Sequence, residues 1–108
     1  MDPHRLAELR SLAYHQEVAL RLRRDPQLLG QARDNLARWL AAGGRGSDIL
    51  RRWQEILERP IAEICERLVD PGAEAQELRH ASPFAGALGP RERWQIWRQV
   101  RAAAERSR

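Results

Sequence analysis

The chain has no lysine, a single cysteine, and one each of methionine, phenylalanine and tyrosine. The lone Cys65 rules out an internal disulfide, so no oxidised framework holds the chain together. It falls on an apolar helix stripe, which marks it as a small core residue rather than a reactive thiol. No stretch approaches the run of roughly 18 apolar residues needed to span a membrane. The opening MDPHRLAELR lacks the apolar segment of a signal peptide. The expected location is therefore the cytoplasm. The missing lysine has two readings. One is selection for bidentate guanidinium contacts to carboxylate or phosphate. The other is a GC-rich genome, and arginines scattered along every segment favour it.

The motifs of common chemistries are missing too. His4, His15 and His80 fall in no HxxxH or HExxH spacing, and Cys65 has no cysteine partner, so no metal site is expected. Neither G-x-x-x-x-G-K-[ST] nor G-x-G-x-x-G occurs, and GGRG at 43–46 is explained as a helix stop. A Cys65/His80 dyad has no support beyond composition. No cofactor is expected, and the chain is not expected to be an enzyme.

What is present is helical period. No segment alternates with period two and no β-branched run exists, so the expectation is an all-α bundle of five or six short helices in one domain, 1–108. Asp2-Pro3 and Asp25-Pro26 each supply a cap followed by a proline suited to the first turn. The first helix is expected to end near Arg24 and to bury Leu6, Leu9, Leu12, Ala13, Ala19 and Leu20. The second carries Leu28, Leu29, Ala32, Leu36, Trp39 and Leu40 within about a third of its circumference at ~100° per residue. After Gly43–Gly46, Ser47 and Asp48 cap a third helix with Ile49, Leu50, Trp53, Ile56 and Leu57. Pro60 separates a fourth, with Ile61, Ile64, Cys65, Leu68 and Val69 on one side. Asp70-Pro71 opens a weaker fifth over about 73–80, and Ser82-Pro83 ends it. Gly89-Pro90 starts the last helix, which runs towards Glu105, with fraying expected at 106–108.

Charge is unevenly placed. Residues 1–89 hold 13 arginines against 13 carboxylates, so the net charge of +4 falls within 90–108. Five pairs stand at i,i+4 with the acid first: Glu17–Arg21, Asp34–Arg38, Asp48–Arg52, Glu55–Arg59 and Glu63–Arg67. Each would contribute about 0.3 kcal/mol. A neutral body with a basic last helix, at about 90–105, does not suit a broad nucleic-acid footprint. The segment PIAEICERLVDPGAEAQELRH, 60–80, has a helix-turn-helix outline. However, Val69 stands where a turn glycine is usual, and Glu74 and Glu77 would face a negative groove.

The last helix has Ile96, Trp97, Val100, Ala103 and Ala104 on one side and Trp94 at its edge. It is the closing helix of the bundle, a docking surface, or both at once, burying Trp97 while presenting Trp94 and arginines outward. Trp and Arg are the residues enriched at interface hot spots. On the docking reading, Phe84, Trp94 and Trp97 are anchors, and Arg91, Arg93, Arg98 and Arg101 are polar contacts. Phe84, in SPFAGAL, is equally a core plug.

The block LRHASPFAGALGPRERWQIWR (78–98), with LAYHQEVALRLRRDPQLLGQARDNLARW (12–39), resembles a family of small, all-helical bacterial proteins. These are often encoded beside a nucleotidyltransferase-like toxin and are taken as its antitoxin. The resemblance covers roughly residues 8 to 100 and is sharpest at Ser82–Gly86 and Pro90–Trp94. It implies a protein that binds a cognate toxin and occludes its active site. The toxin would transfer nucleotides to an RNA such as tRNA. The arginine-rich helix would meet the toxin's metal-binding carboxylates. The acidic stretch Glu63, Glu66, Asp70, Glu74 and Glu77 would cover its basic RNA-facing surface. Two alternatives stand beside it: a regulator that binds nucleic acid through 90–108, and a self-associating bundle whose exposed stripe is its own dimer seam.

Overall fold

The computed structural model describes residues 2–43 and 46–107, which form six helices and no strand. They are α1 (Pro3–Arg24), α2 (Gln27–Ala42), α3 (Ser47–Leu57), α4 (Ile61–Val69), α5 (Ala73–Arg79) and α6 (Pro90–Arg106). The all-α expectation holds, and the boundaries follow the punctuation in the sequence. Asp2 accepts a hydrogen bond from the His4 N–H at 3.0 Å, with Pro3 in the first turn. Asp25 closes α1 and accepts from the Gln27 N–H at 3.1 Å as α2 begins. Gly43, at φ +70°, ends α2 in a conformation that a side chain would strain. Gly46, not Ser47, is the cap of α3, and no side chain bonds its first turn. Gly44, Arg45 and Arg108 lie outside the described residues, so part of the expected glycine stop and the end of the basic tail do too.

α1 is the axle. It packs along α4 and α6 and, more lightly, along α2 and α5. The core joins Val18 and Leu22 of α1, Leu29, Ala32 and Leu36 of α2, Trp53 and Leu57 of α3, and Ile64, Cys65 and Leu68 of α4. Leu78, Phe84 and Leu88 close it. The expected stripes of α2, α3 and α4 supply these residues, except that Trp39 of the α2 stripe stands outside the core cluster. That of α1 is corrected: Leu20 is 59% exposed, while Val18 and Leu22, outside the expected stripe, are fully buried. The reason is that α1 has neighbours on two faces. Leu9, Leu12 and Ala13 turn towards α6, and Val18 and Leu22 turn into the core, so no single stripe describes it. Cys65 is buried, its thiol donates to the Ala19 carbonyl at 3.5 Å, and burial pushes its pKa up. It is a core residue.

Of the five expected i,i+4 ion pairs only Glu17–Arg21 forms, at 3.1 Å. Arg52 instead pairs with Glu74 and Glu77 of α5, Arg59 pairs with Glu63 at 3.6 Å, and Arg38 bonds the Asn35 amide. Cross-helix partners win where α3 and α5 lie close, because a tertiary neighbour replaces the local one without extending the side chain along its own helix.

The 80–89 connection is the most thoroughly fastened loop. Tyr14 donates its hydroxyl to the Phe84 carbonyl at 2.7 Å and accepts from the Leu88 N–H at 3.4 Å. Asn35 donates to the Pro83 carbonyl at 3.0 Å. Trp53 meets the Phe84 ring edge to face at 6.3 Å, and its indole N–H donates to the Leu78 carbonyl at 2.8 Å. Gly86, at φ +85°, turns the chain back so that Leu88 also reaches the core.

Candidate docking surface

Phe84 is 1% exposed, which corrects its assignment as a surface anchor: it is the core plug of the 80–89 loop. The helix-turn-helix outline fails as well. α5 is only seven residues long, turns Ala75, Leu78 and Arg79 inward, and presents Glu74 and Glu77 to Arg52.

The remaining predicted residues all belong to α6, and that helix differs from the other five. Each of those buries at least two side chains; α6 buries none. Trp94 is 59% exposed and Trp97 37%. Arg91, Arg98 and Arg101 are exposed, whereas Arg93 is half-buried and turns into a separate cleft towards α2. The predicted set therefore divides. Trp94, Trp97, Arg98 and Arg101 share one edge of α6, Arg91 lies further round, and Arg93 and Phe84 belong elsewhere.

α6 runs antiparallel to α1. Glu92 in its first turn pairs with Arg21 and also accepts from the Gly89 N–H at 3.4 Å. Further along, the Arg10 guanidinium sits 5.7 Å from the centre of the Trp97 ring, a cation–π contact that holds the indole at the surface. At the far end the two helices still face each other. They leave an apolar groove of 360 Å³ lined by Leu9, Leu12, Ala13, Val100, Ala103 and Ala104. Ile96 is the one α6 side chain that packs against the core cluster.

The charge pattern extends what the sequence suggested. α1 and α6 each carry five arginines against two glutamates. The 47–79 region, α3 to α5, carries five arginines against eight carboxylates. The body is thus not neutral throughout: positive charge is concentrated in α1 and α6, which pack together, and negative charge in the 47–79 region. Of the acidic stretch, Glu74 and Glu77 are engaged by Arg52 and Glu63 by Arg59, while Glu66 and Asp70 are exposed.

A polar cluster that the sequence did not reveal lies at the 80–89 loop, on the lining of the cleft that Arg93 enters. His15 is 3% exposed, with one ring nitrogen 2.7 Å from the Ser11 carbonyl and the other 2.8 Å from the Ser82 hydroxyl. A carbonyl only accepts, so Nδ1 carries the proton and Nε2 accepts from Ser82. The Ser82 oxygen in turn accepts from the Phe84 N–H at 3.1 Å. Burial first, opposed by the Ser11 carbonyl and aided by the charge of Arg79, lowers the His15 pKa to about 4, so the ring is neutral at pH 7. The pair has the outline of a nucleophile and its base. Here, though, the hydroxyl's hydrogen is spent on His15, pinning the loop to α1, and its oxygen accepts from Phe84 within the loop. Arg79 is buried too and donates to the Leu68 and Asp70 carbonyls at 3.2 and 2.6 Å. One signal was available in the sequence. His15, Val18, Ala19 and Leu22 keep the helical period, with a histidine in the leading place.

Among the described residues no group of three or more His, Cys, Asp or Glu side chains is arranged to hold a metal ion. No helix among them is long and apolar enough to cross a membrane. A scan of protein families and searches of curated proteins and of solved structures gave no match.

Proposed function

We propose that the chain is a non-enzymatic, cytoplasmic protein-binding module that docks a partner on α6. Within that reading it is the antitoxin of a nucleotidyltransferase-like toxin, which it silences by occlusion. One observation supports docking most directly: a 17-residue helix buries none of its side chains while exposing two tryptophans among arginines. A helix that only closed a bundle would place its indoles inward, as α3 does with Trp53. Large apolar side chains beside guanidinium groups are the usual anchors of protein interfaces. The arginines suit an acidic surface on the partner, such as a cluster of metal-binding carboxylates. The antitoxin assignment itself rests on the resemblance of 78–98 and 12–39.

The test is co-expression of the tagged protein with the toxin-like product of the adjacent gene, purified through a high-salt wash. The expected result is a stoichiometric complex in which the partner's nucleotide transfer is silent. Trp94→Ala should weaken the complex by tenfold or more, and the pair Arg98→Glu with Arg101→Glu should slow its formation. A partner bound equally well by all three proteins would sink the α6 assignment.

The gathering of arginines on α1 and α6 favours a second reading, a small nucleic-acid-binding regulator. That binding would fall steeply with salt, whereas a tryptophan-anchored protein complex would change little. Nucleic acid stripped from the purified protein by salt, with no protein partner retained, would replace the first reading with the second.

A further inference from the structure

Arg93 leaves the α6 surface and enters a cleft of 320 Å³, where α1, α2, α6 and the turn at 80–86 meet. The cleft has a basic lining. Arg79, His80 and Arg93 line it, and none of its ten lining residues is a carboxylate. Arg79 is held by the Leu68 and Asp70 carbonyls, and Asp70 and Glu8, outside the lining, offset part of its charge, so Arg93 is the cation left for a ligand. The Arg93 Nε is out of water and has no acceptor. A guanidinium donor in that state lacks an anionic partner, and its planar fork suits a phosphate or a carboxylate. The walls are aromatic. Trp39 is half-buried but stands outside the core cluster, so the core does not explain its position, and Tyr14 also lines the cleft. The volume is at the lower end of the roughly 300–1,000 Å³ of small-molecule sites.

We infer that this cleft binds a small anion bearing a flat ring, of the class and size of a nucleoside monophosphate. The ring lies against Trp39, and the phosphate meets Arg93 and His80. Indole faces accept any flat base by stacking, and arginine supplies the charge. The site has a consequence for the docking helix. Arg93 belongs to α6 and Trp39 to α2, two helices that otherwise barely touch. A ligand between them fastens α6 to the body, and whatever binds only the fastened form stabilises it.

The test is a titration of isotope-labelled protein with adenosine 5′-monophosphate at neutral pH, followed by NMR. Inorganic phosphate and adenosine serve as the two half-ligands. Saturable shifts are expected at the Trp39 indole and at the amides of His80 and Gly86. Arg93→Gln and Trp39→Ala should each weaken binding tenfold or more, and each half-ligand should bind at least tenfold more weakly than the whole. Neither residue is in the core, so both variants should retain the far-ultraviolet circular dichroism of the parent. Trp94→Ala should bind as the parent does. Amide exchange along α6 should slow with ligand present. Absence of saturable shifts up to millimolar ligand overturns the site. Unchanged affinity in Arg93→Gln overturns the phosphate contact, and phosphate binding as tightly as the nucleotide overturns the ring contact.

Discussion

The 80–89 loop and α6 are adjacent in the chain, and both are rich in residues that proteins usually bury, yet they have opposite fates. The loop has one phenylalanine and buries it, together with Ser82, Pro83 and Leu88. The helix has two larger rings and buries neither. The difference lies in what meets the backbone. In the loop, side chains from α1 and α2 satisfy the carbonyls of Pro83 and Phe84 and the amide of Leu88, so an irregular segment can enter the core without unpaired polar groups. The helix satisfies its own backbone and needs no such help, so it can lie on the surface and leave its side chains free. Irregular backbone in this protein is structural, and regular backbone is what remains available to a partner.

That contrast is most sharply broken by truncating one ring on each side of Gly89. Phe84→Ala removes a side chain wedged against Trp53 and should cost about 3–5 kcal/mol of stability. Trp94→Ala removes more atoms from a position 59% exposed and should stay within about 0.5 kcal/mol of the parent. Urea unfolding followed by circular dichroism reads both. Equal losses would mean that α6 is packed as the loop is.

The next largest effect is the loop's dependence on pH. The folded-state pKa of His15 is lowered from 6.5 to about 4, so between those values the unfolded chain binds a proton that the folded chain does not. Stability from this group is therefore complete above pH 6.5 and is lost as pH falls towards 4, by about 3 kcal/mol in all. The protonated ring would also place a donor against the Ser82 hydroxyl and a charge near Arg79. Stability measured from pH 7 to 4.5 should fall more steeply for the parent than for His15→Gln, which has nothing to titrate there. Parallel curves would remove His15 as the cause. Ser82→Ala should cost less, about 1–3 kcal/mol, because it strands the His15 nitrogen and the Phe84 N–H in a buried place while leaving the packing intact. The corresponding change at the C-terminal cap of α6, Ser107→Ala, lies on the surface and should be silent.

Much of the fold was legible in the sequence because its punctuation is local. Asp2-Pro3, Asp25-Pro26, Pro60 and Gly89-Pro90 mark helix starts whatever surrounds them, and the boundaries fall there. The stripes of α2, α3 and α4 were legible because each of those helices has one buried side. α1 was not, because a central helix shared between a core and a neighbour has no single apolar face, and its exposed Leu20 counts in a pattern as much as a buried leucine. The docking residues were legible as a composition, tryptophans among arginines, but not in their division. Whether Phe84 points in or out depends on Tyr14, 70 residues from it, and on Asn35, 48 residues from the Pro83 it bonds. The turning of Arg93 into the cleft, and the separation of Trp39 from the core, likewise depend on where α2 and α6 come to rest. The same holds for ion pairs: Asp48–Arg52 reads well along the chain, but Glu74 and Glu77 take the arginine once α5 is in place.

The smallest effect concerns how α6 is held. Its first turn is tied to α1 by Glu92 and Arg21, both about one-third exposed, and a pair in that setting contributes little to global stability. Glu92→Gln keeps an oxygen for the Gly89 N–H and removes the charge facing Arg21. Global unfolding should shift by less than about 1 kcal/mol. Amide exchange should tell more. A helix with no buried side chain opens locally at far less cost than the whole molecule, so loss of the tie should speed exchange along α6 and leave α1 and α4 unchanged. Rates that rise everywhere together would mean that α6 opens only when the core does, and the contrast with the loop would disappear. Rates unchanged in α6 would assign its hold to Ile96 and the Arg10–Trp97 contact instead, and a partner docking on Trp97 would then have to displace Arg10 before it could bind.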